Sequence, residues 1–240
     1  MQNKIQQSFN RAANTYDDSA HAQKHAGFHL ASLLKASQRH ANHLLDIGCG
    51  TGFMTEHVAS QYQYHSFHAI DIASALLNKA KVQTQSSIQF YQMDFDALSD
   101  TSSHYDVIYS NMALQWSRDL PALLNTIYKL LQRNGTLSFS LPLTGTFTEL
   151  QSHCALNSFF DMQIVKDYLA NCGYEVIIHE TETLTFVYPD TIRALQSIKQ
   201  IGANHVHHRI NKGLTTRSRF LQFDIHQLTY VIGYFVARKK

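Results

Sequence analysis

The sequence predicts an α/β protein built on a mostly parallel, doubly wound sheet with helices on both faces. Three observations lead there. Short apolar segments alternate with longer segments whose apolar residues recur at helical spacing. Parallel strands need a connecting helix, and the alternation supplies one between most strands. A glycine-rich turn, Gly48-Cys-Gly-Thr-Gly52, joins the first strand to a helix. The size agrees, since 240 residues with 44% hydrophobic side chains can bury one large core.

From the N-terminus, Ile5, Phe9, Ala12 and Tyr16 fall at helical spacing. Asp17-Asp18-Ser19 is expected to interrupt that helix, and Ala26, Leu30, Leu33 and Leu34 to continue on a second one. Strands are expected at 43–47, 65–72, 88–94, 105–110, 135–141, 175–187 and 228–236. The clearest helix is 119–133, where Leu120, Leu123, Leu124, Ile127, Leu130 and Leu131 make one stripe. Pro121 suits its first turn and Gly135 follows its end. Only the last two strands lack an evident helix between them. The chain reads as one domain, 1–240: a helical lid (1–40), a core (41–189), a basic lid insertion (190–227) and a last strand (228–240). The lids are expected at the sheet's C-terminal edge, where ligands bind in open α/β sheets.

Composition excludes several functions. The longest apolar run, 230–237, is eight residues, against about 20 for a membrane-spanning helix. Met1-Gln2-Asn3-Lys4 lacks the apolar stretch of a signal peptide. Cys49, Cys154 and Cys172 follow no redox or metal spacing, which fits a reducing, cytoplasmic setting. His205-Val-His207-His208 has no carboxylate or cysteine beside it, so no metal is expected. The net charge of +2 hides a basic C-terminal fifth, in which nine Lys and Arg accompany one acid, Asp224. Such a segment attracts an acidic partner, or is simply a solvated face. Nucleic acid is not expected, because Phe220, Phe223, Tyr230, Tyr234 and Phe235 fall mostly at core periodicity and are not interleaved with cations.

The most informative stretch is the first strand and its turn. Asp46 ends the strand, and glycines follow at 48, 50 and 52. Glycines let backbone N–H groups approach a ligand at a helix N-terminus. A dinucleotide fingerprint would read G-x-G-x-x-G; here the spacing is G-x-G-x-G beside an acid. That acid repels a pyrophosphate and suits an ammonium or sulfonium charge. S-adenosylmethionine carries both. Asp71, with Ile72 beside it, closes the second strand, where a carboxylate can accept both ribose hydroxyls. Asp94 and Phe95 close the third, able to accept from the adenine amine and to stack on its ring. Singly each acid reads as a helix cap; three at one sheet edge read as a site. The fourth strand ends in Ser110-Asn111, with Gln115 and Trp116 beyond, at the position of a transferable methyl.

These residues resemble the class I S-adenosylmethionine-dependent methyltransferases, through Leu45-Asp-Ile-Gly-Cys-Gly-Thr-Gly52, Asp71, Asp94 and Tyr105-Asp-Val-Ile-Tyr-Ser-Asn111. The resemblance covers about 40–142 and implies a Rossmann-like sheet of seven strands whose final strand is antiparallel. Segments outside it are similar to the malonyl-acyl-carrier-protein O-methyltransferases of biotin synthesis. They are Phe9-Asn-Arg11-Ala-Ala-Asn-Thr-Tyr16-Asp17 with Gln23, Gly145-Thr-Phe-Thr-Glu-Leu150, and Ile198-Lys-Gln-Ile-Gly-Ala-Asn-His205. Leu214-Thr-Thr-Arg217-Ser-Arg219 and the terminal strand extend the match. Asn134 departs from it, standing where the family usually has glycine.

The resemblance implies methyl esterification of the free carboxylate of a malonyl thioester. Such a carboxylate is already ionised at neutral pH, so its attack on a methyl group needs alignment and water exclusion, with no general base. Arg217 is the first candidate to hold it, by its planar fork. Gln115 and Trp116 are candidates to line the transfer pocket, and Tyr16 to close over the methionine end. An acyl carrier protein is acidic, and Lys199, Arg209, Lys212 and Arg219 are placed to steer it. Two other readings stand beside this one. One is a methyltransferase for a small-molecule acceptor such as a quinone precursor; the other is a catalytically silent binding subunit.

Overall fold

The computed structural model describes residues 2–99, 104–153, 156–203 and 224–240. Helix α1 (Gln2–Ala12), the single turn α2 (Tyr16–Ser19) and helix α3 (His21–Ser37) precede the sheet. Then follow β1 (His43–Ile47), α4 (Phe53–Ala59), β2 (Ser66–Asp71), α5 (Ser74–Gln83), β3 (Gln89–Gln92) and β4 (Tyr105–Asn111). The second half holds α6 (Leu120–Leu130), β5 (Leu131–Pro142), α7 (Met162–Asn171), β6 (Tyr174–Val187), α8 (Thr191–Gln200) and β7 (Gln227–Lys239).

The seven strands lie in the order β3-β2-β1-β4-β5-β7-β6. The first five pair in parallel, and β7 runs antiparallel between β5 and β6. This is the α/β architecture expected from the alternation. Because β2 and β4 lie on opposite sides of β1, their connections diverge and leave a crevice at the C-terminal ends of the strands.

Apolar patterning puts a layer on each face. Leu44, Leu45 and Ile47 of β1 are all buried, as a central parallel strand requires. On one side Leu30 and Leu34 of α3 join Leu44, Tyr109 and Tyr234. On the other, the α6 stripe packs with Val165 and Leu169 of α7. There Phe139 and Phe235, direct partners across β5 and β7, stack at 4.8 Å.

Three local expectations are corrected. Asp17-Asp18-Ser19 does not break the chain; it is helical in α2, where acids in a first turn are favoured by the helix dipole. The breaks fall on either side of it. A helix does occupy the last crossover: α8, whose N-cap Asp190 accepts the Arg193 N–H at 2.8 Å. Its buried stripe is only Thr191, Ala194 and Ile198, too narrow to stand out in a polar sequence. Finally, α6 stops at Leu130, because Leu131 turns extended and begins β5.

That early start leaves an irregularity at Asn134, which is exposed with φ +64°. Asparagine tolerates this left-handed backbone better than most residues do. Asn134→Ala is expected to lower unfolding free energy by about 1 kcal/mol, and Asn134→Gly to leave it level or raised. Urea titration checks this; equal midpoints for all three proteins would refute the conformation.

Candidate active site

The end of β1 delivers the glycine turn to the crevice. Gly48 and Gly50 have φ of +76° and +56°, a conformation that side chains rarely adopt. A Cβ on Gly48 would lie 2.3 Å from the Ala113 Cβ. One on Gly50 would meet nothing nearer than Tyr16 Cε1 at 3.9 Å, and would stand in the cleft itself. Asp71, at the end of β2, holds the turn. Its Oδ2 accepts the Gly50 N–H at 2.9 Å and its Oδ1 the Ala73 N–H at 2.7 Å. Ile70 O accepts the N–H groups of Gly48 and Cys49 at 2.8 and 3.0 Å.

A cleft of about 560 Å³ opens at this point. Its floor includes Gly48, Gly50, Asp71, Ile72 and Leu76, and Asp94 and Phe95 form one end. Asn111, Met112, Ala113 and Trp116 form another wall, and Gln2, Ile5, Phe9 and Tyr16 the roof. A second cavity of about 430 Å³ shares Tyr16, Gly48, Gly50 and Asn111 with it. Asp17, Gln23, Lys24, Asp46 and Tyr109 help to line that one.

All ten residues that sequence reasoning chose for the cofactor therefore line these two cavities: Tyr16, Gln23, Asp46, Gly48, Gly50, Asp71, Ile72, Asp94, Phe95 and Asn111. Trp116 joins them. Gln115 does not; its Nε2 donates to Met112 O at 2.7 Å, and its Oε1 is buried without a hydrogen-bond partner. The 3-10 turn Leu114–Trp116 puts Trp116 on the cleft and leaves Gln115 to bond back to its own loop. Lys199 is exposed on α8. Arg209, Lys212, Arg217 and Arg219 lie outside the described residues.

The walls are acidic. Asp46 is 2% exposed and accepts the Thr55 hydroxyl at 2.7 Å. Burial pushes its carboxyl up to about 7; the Thr55 bond opposes this and the charge of Asp71 adds to it. Burial also raises Asp71, against backbone N–H bonds that favour its charged form. Burial, then the charges of Asp71 and Asp17, raise the Tyr16 phenol, which stays protonated at neutral pH. Asp94 caps the turn Phe95–Ala97, its Oδ1 accepting the Asp96 N–H at 3.0 Å, and still faces the cleft. The one cation among the described residues lining these cavities is Lys24, whose Nζ donates to Asp17 O at 2.7 Å and lies 4.5 Å from the Phe53 ring centroid.

Comparison with known proteins agrees with this geometry. Residues 44–135 match the methyltransferase domain family. Along its whole length the chain is 34% identical to malonyl-acyl-carrier-protein O-methyltransferase 2 of Coxiella burnetii, covering 97% of that protein. The chain belongs to the malonyl-acyl-carrier-protein O-methyltransferase family. A relative in Erwinia billingiae is 31% identical over 92% of this chain and 88% of its own. In fold, this methyltransferase is similar to YcgJ of Bacillus subtilis, with TM-score 0.63, 14% identity, and 89% and 99% of the two chains covered. It is also similar to the N-methyltransferase NodS of Bradyrhizobium japonicum, solved with S-adenosylhomocysteine. There the TM-score is 0.57, the identity 15% and the coverage 94% and 98%.

The sequence led to a helical lid over residues 1–40, but Gln2, Ile5 and Phe9 were not named as lining residues, and neither was Lys24. Helix α1 is tied down by Gln6 Nε2, which donates to Ile72 O at 2.8 Å, and by Asn10 Oδ1, which accepts the Ala75 N–H at 2.9 Å. Phe9 meets Trp116 edge-on at 5.6 Å. Ile5 and Phe9 were visible as an apolar helix face, but spacing does not say whether such a face covers a core or a cleft. Lys24 gave no signal at all.

Proposed function

We propose that this chain transfers a methyl group from S-adenosylmethionine to the free carboxylate of a malonyl thioester on an acyl carrier protein. The observation that carries this is the wall chemistry of the two cavities: Asp46, Asp71 and Asp94 from three strand ends, Asp17 from the N-terminal segment, one lysine and, among the described residues, no histidine. It is supported by the whole-length likeness to relatives named for malonyl-acyl-carrier-protein O-methylation.

The residues fit the cofactor. Space for a ligand is kept at Gly50, where a Cβ would intrude. Asp71 would hold the ribose hydroxyls, Asp94 the adenine amine, and Phe95 and Ile72 the ring. At the other end Asp46 would face the positive charges and Lys24 the carboxylate, with Tyr16, Gln23 and Asn111 around them. When bound, the cofactor supplies a methyl group made electrophilic by a positively charged sulfur.

The chain's own tasks are then positioning and drying. A malonyl carboxylate is ionised at neutral pH and needs no base, which suits walls without histidine; a carbon or phenol acceptor would require one. Trp116, Phe9 and Met112 exclude water, which strengthens the attraction between an anionic oxygen and a cationic donor. Arg217 is assigned the acceptor carboxylate, and Lys199, Arg209, Lys212 and Arg219 the acidic carrier. Esterification masks the charge, so that the acyl group enters biotin-precursor synthesis like an ordinary starter.

The test is methyl transfer by the purified protein to malonyl-carrier protein, malonyl-coenzyme A and acetyl-carrier protein. Methyl ester is expected from malonyl thioesters only, with the carrier-bound form losing rate as salt rises. Equal methylation of the acetyl thioester, or none of any, would refute the proposal.

A further inference from the structure

We propose that Asp96 is a positioning residue that couples the adenine side of the cleft to its roof, an inference that rests on the cofactor reading above. Asp96 follows Phe95 in the chain but does not line the cleft, and its side chain is only 7% exposed. Its Oδ2 accepts from Gln2 Nε2 of α1 at 2.9 Å, and from the N–H and Nε of Arg118 at 3.0 and 2.9 Å. Its Oδ1 accepts the Ser117 hydroxyl at 2.6 Å. One buried carboxylate thus fastens three pieces that meet the ligand space: the roof helix, the Asp94–Phe95 turn and the Trp116 loop.

The network reaches further in two directions. Arg118 Nη2 lies 3.5 Å from Asp94 Oδ2, so the same guanidinium that pairs with Asp96 also sets the Asp94 carboxylate. Ser117 Oγ in turn accepts the Asp119 N–H at 3.2 Å, and Asp119 caps α6. An amide at position 96 has a single acceptor oxygen, whereas here both oxygens are engaged. A ligand that orders Asp94 and Phe95 therefore also favours the closed roof. The effect falls on affinity, because no group of this network touches the cavity shared by Asp46 and Lys24.

Calorimetric titration with S-adenosylhomocysteine of wild type, Asp96→Asn, Gln2→Ala and the double variant tests this. Asp96→Asn is expected to weaken binding about tenfold or more and Gln2→Ala about threefold, as charged and neutral hydrogen bonds differ. The double variant should lose less than the product of the two single effects, because part of what Gln2 contributes runs through the carboxylate at position 96. In methyl-transfer kinetics the cofactor KM should rise while kcat at saturation stays within about twofold. Wild-type affinity in Asp96→Asn, or effects that multiply in the double variant, would overturn the inference. If Asp96→Asn fails to fold, Ser117→Ala, which removes the Oδ1 partner at a residue that does not line the cleft, takes its place, and wild-type affinity there overturns it. A wild type that binds no S-adenosylhomocysteine overturns the cofactor reading and this inference with it.

Discussion

Asp71→Ala is expected to reduce S-adenosylhomocysteine affinity by at least about 3 kcal/mol, roughly 150-fold, while the protein stays folded. Asp71 has two tasks. It faces the cleft, where it would accept the ribose hydroxyls, and it anchors the Gly50 and Ala73 N–H groups at 2.9 and 2.7 Å. Removing it would take away the partner proposed for the ribose and release the Gly50 and Ala73 N–H groups. Folding loses less, about 1–2 kcal/mol, because the freed N–H groups border a cleft that admits water. Deleting a carboxylate whose charged form burial disfavours offsets part of even that. Calorimetry and a thermal melt separate the two effects. Affinity within threefold of wild type would remove Asp71 from the site.

Asp46→Asn should produce opposite changes in stability and binding, and both should depend on pH. The folded carboxyl titrates at about 7, against about 3.9 in an unfolded chain. Between those values the native state holds a proton that the unfolded state has released, so this group makes stability fall as pH rises. The full effect is about 4 kcal/mol and is complete just above pH 7. The variant lacks that slope. Its stability relative to wild type should therefore climb from pH 4 to pH 7, as paired denaturant titrations would show. Binding runs the other way. A cation beside Asp46 favours its ionised form, so wild-type affinity should rise about eightfold from pH 6 to 7.5 with proton release on binding. The variant should bind weakly with little pH dependence. A wild-type affinity that is flat over this interval would sever Asp46 from any cationic ligand.

Much of the site was legible because its parts are local. Asp46 and the glycines sit within one strand and its turn, and Asp71 and Asp94 mark the ends of the next two strands. In a parallel sheet, strand ends share one edge, so three separate acids became one site. Gln115 shows where such reasoning stops. Its place after β4 was right, but a 3-10 turn decides which of two neighbours faces the cleft, and that choice fell to Trp116. Asn134 shows the same limit in the backbone, since its left-handed conformation depends on where β5 begins and what β4 pairs with.

By itself, then, the amino-acid sequence determined the alternation of strands and helices, the flexible turn and the acids at the strand ends. Each of these follows from periodicity and residue type over a few neighbours. Only the tertiary structure decided that β7 inserts between β5 and β6, that Gln2, Ile5 and Phe9 are the α1 residues turned to the cleft, and that Gln2 and Arg118 meet on Asp96. Those contacts join residues as far apart in the chain as Thr136 and Arg238, and packing across such distances leaves no periodic trace in the chain.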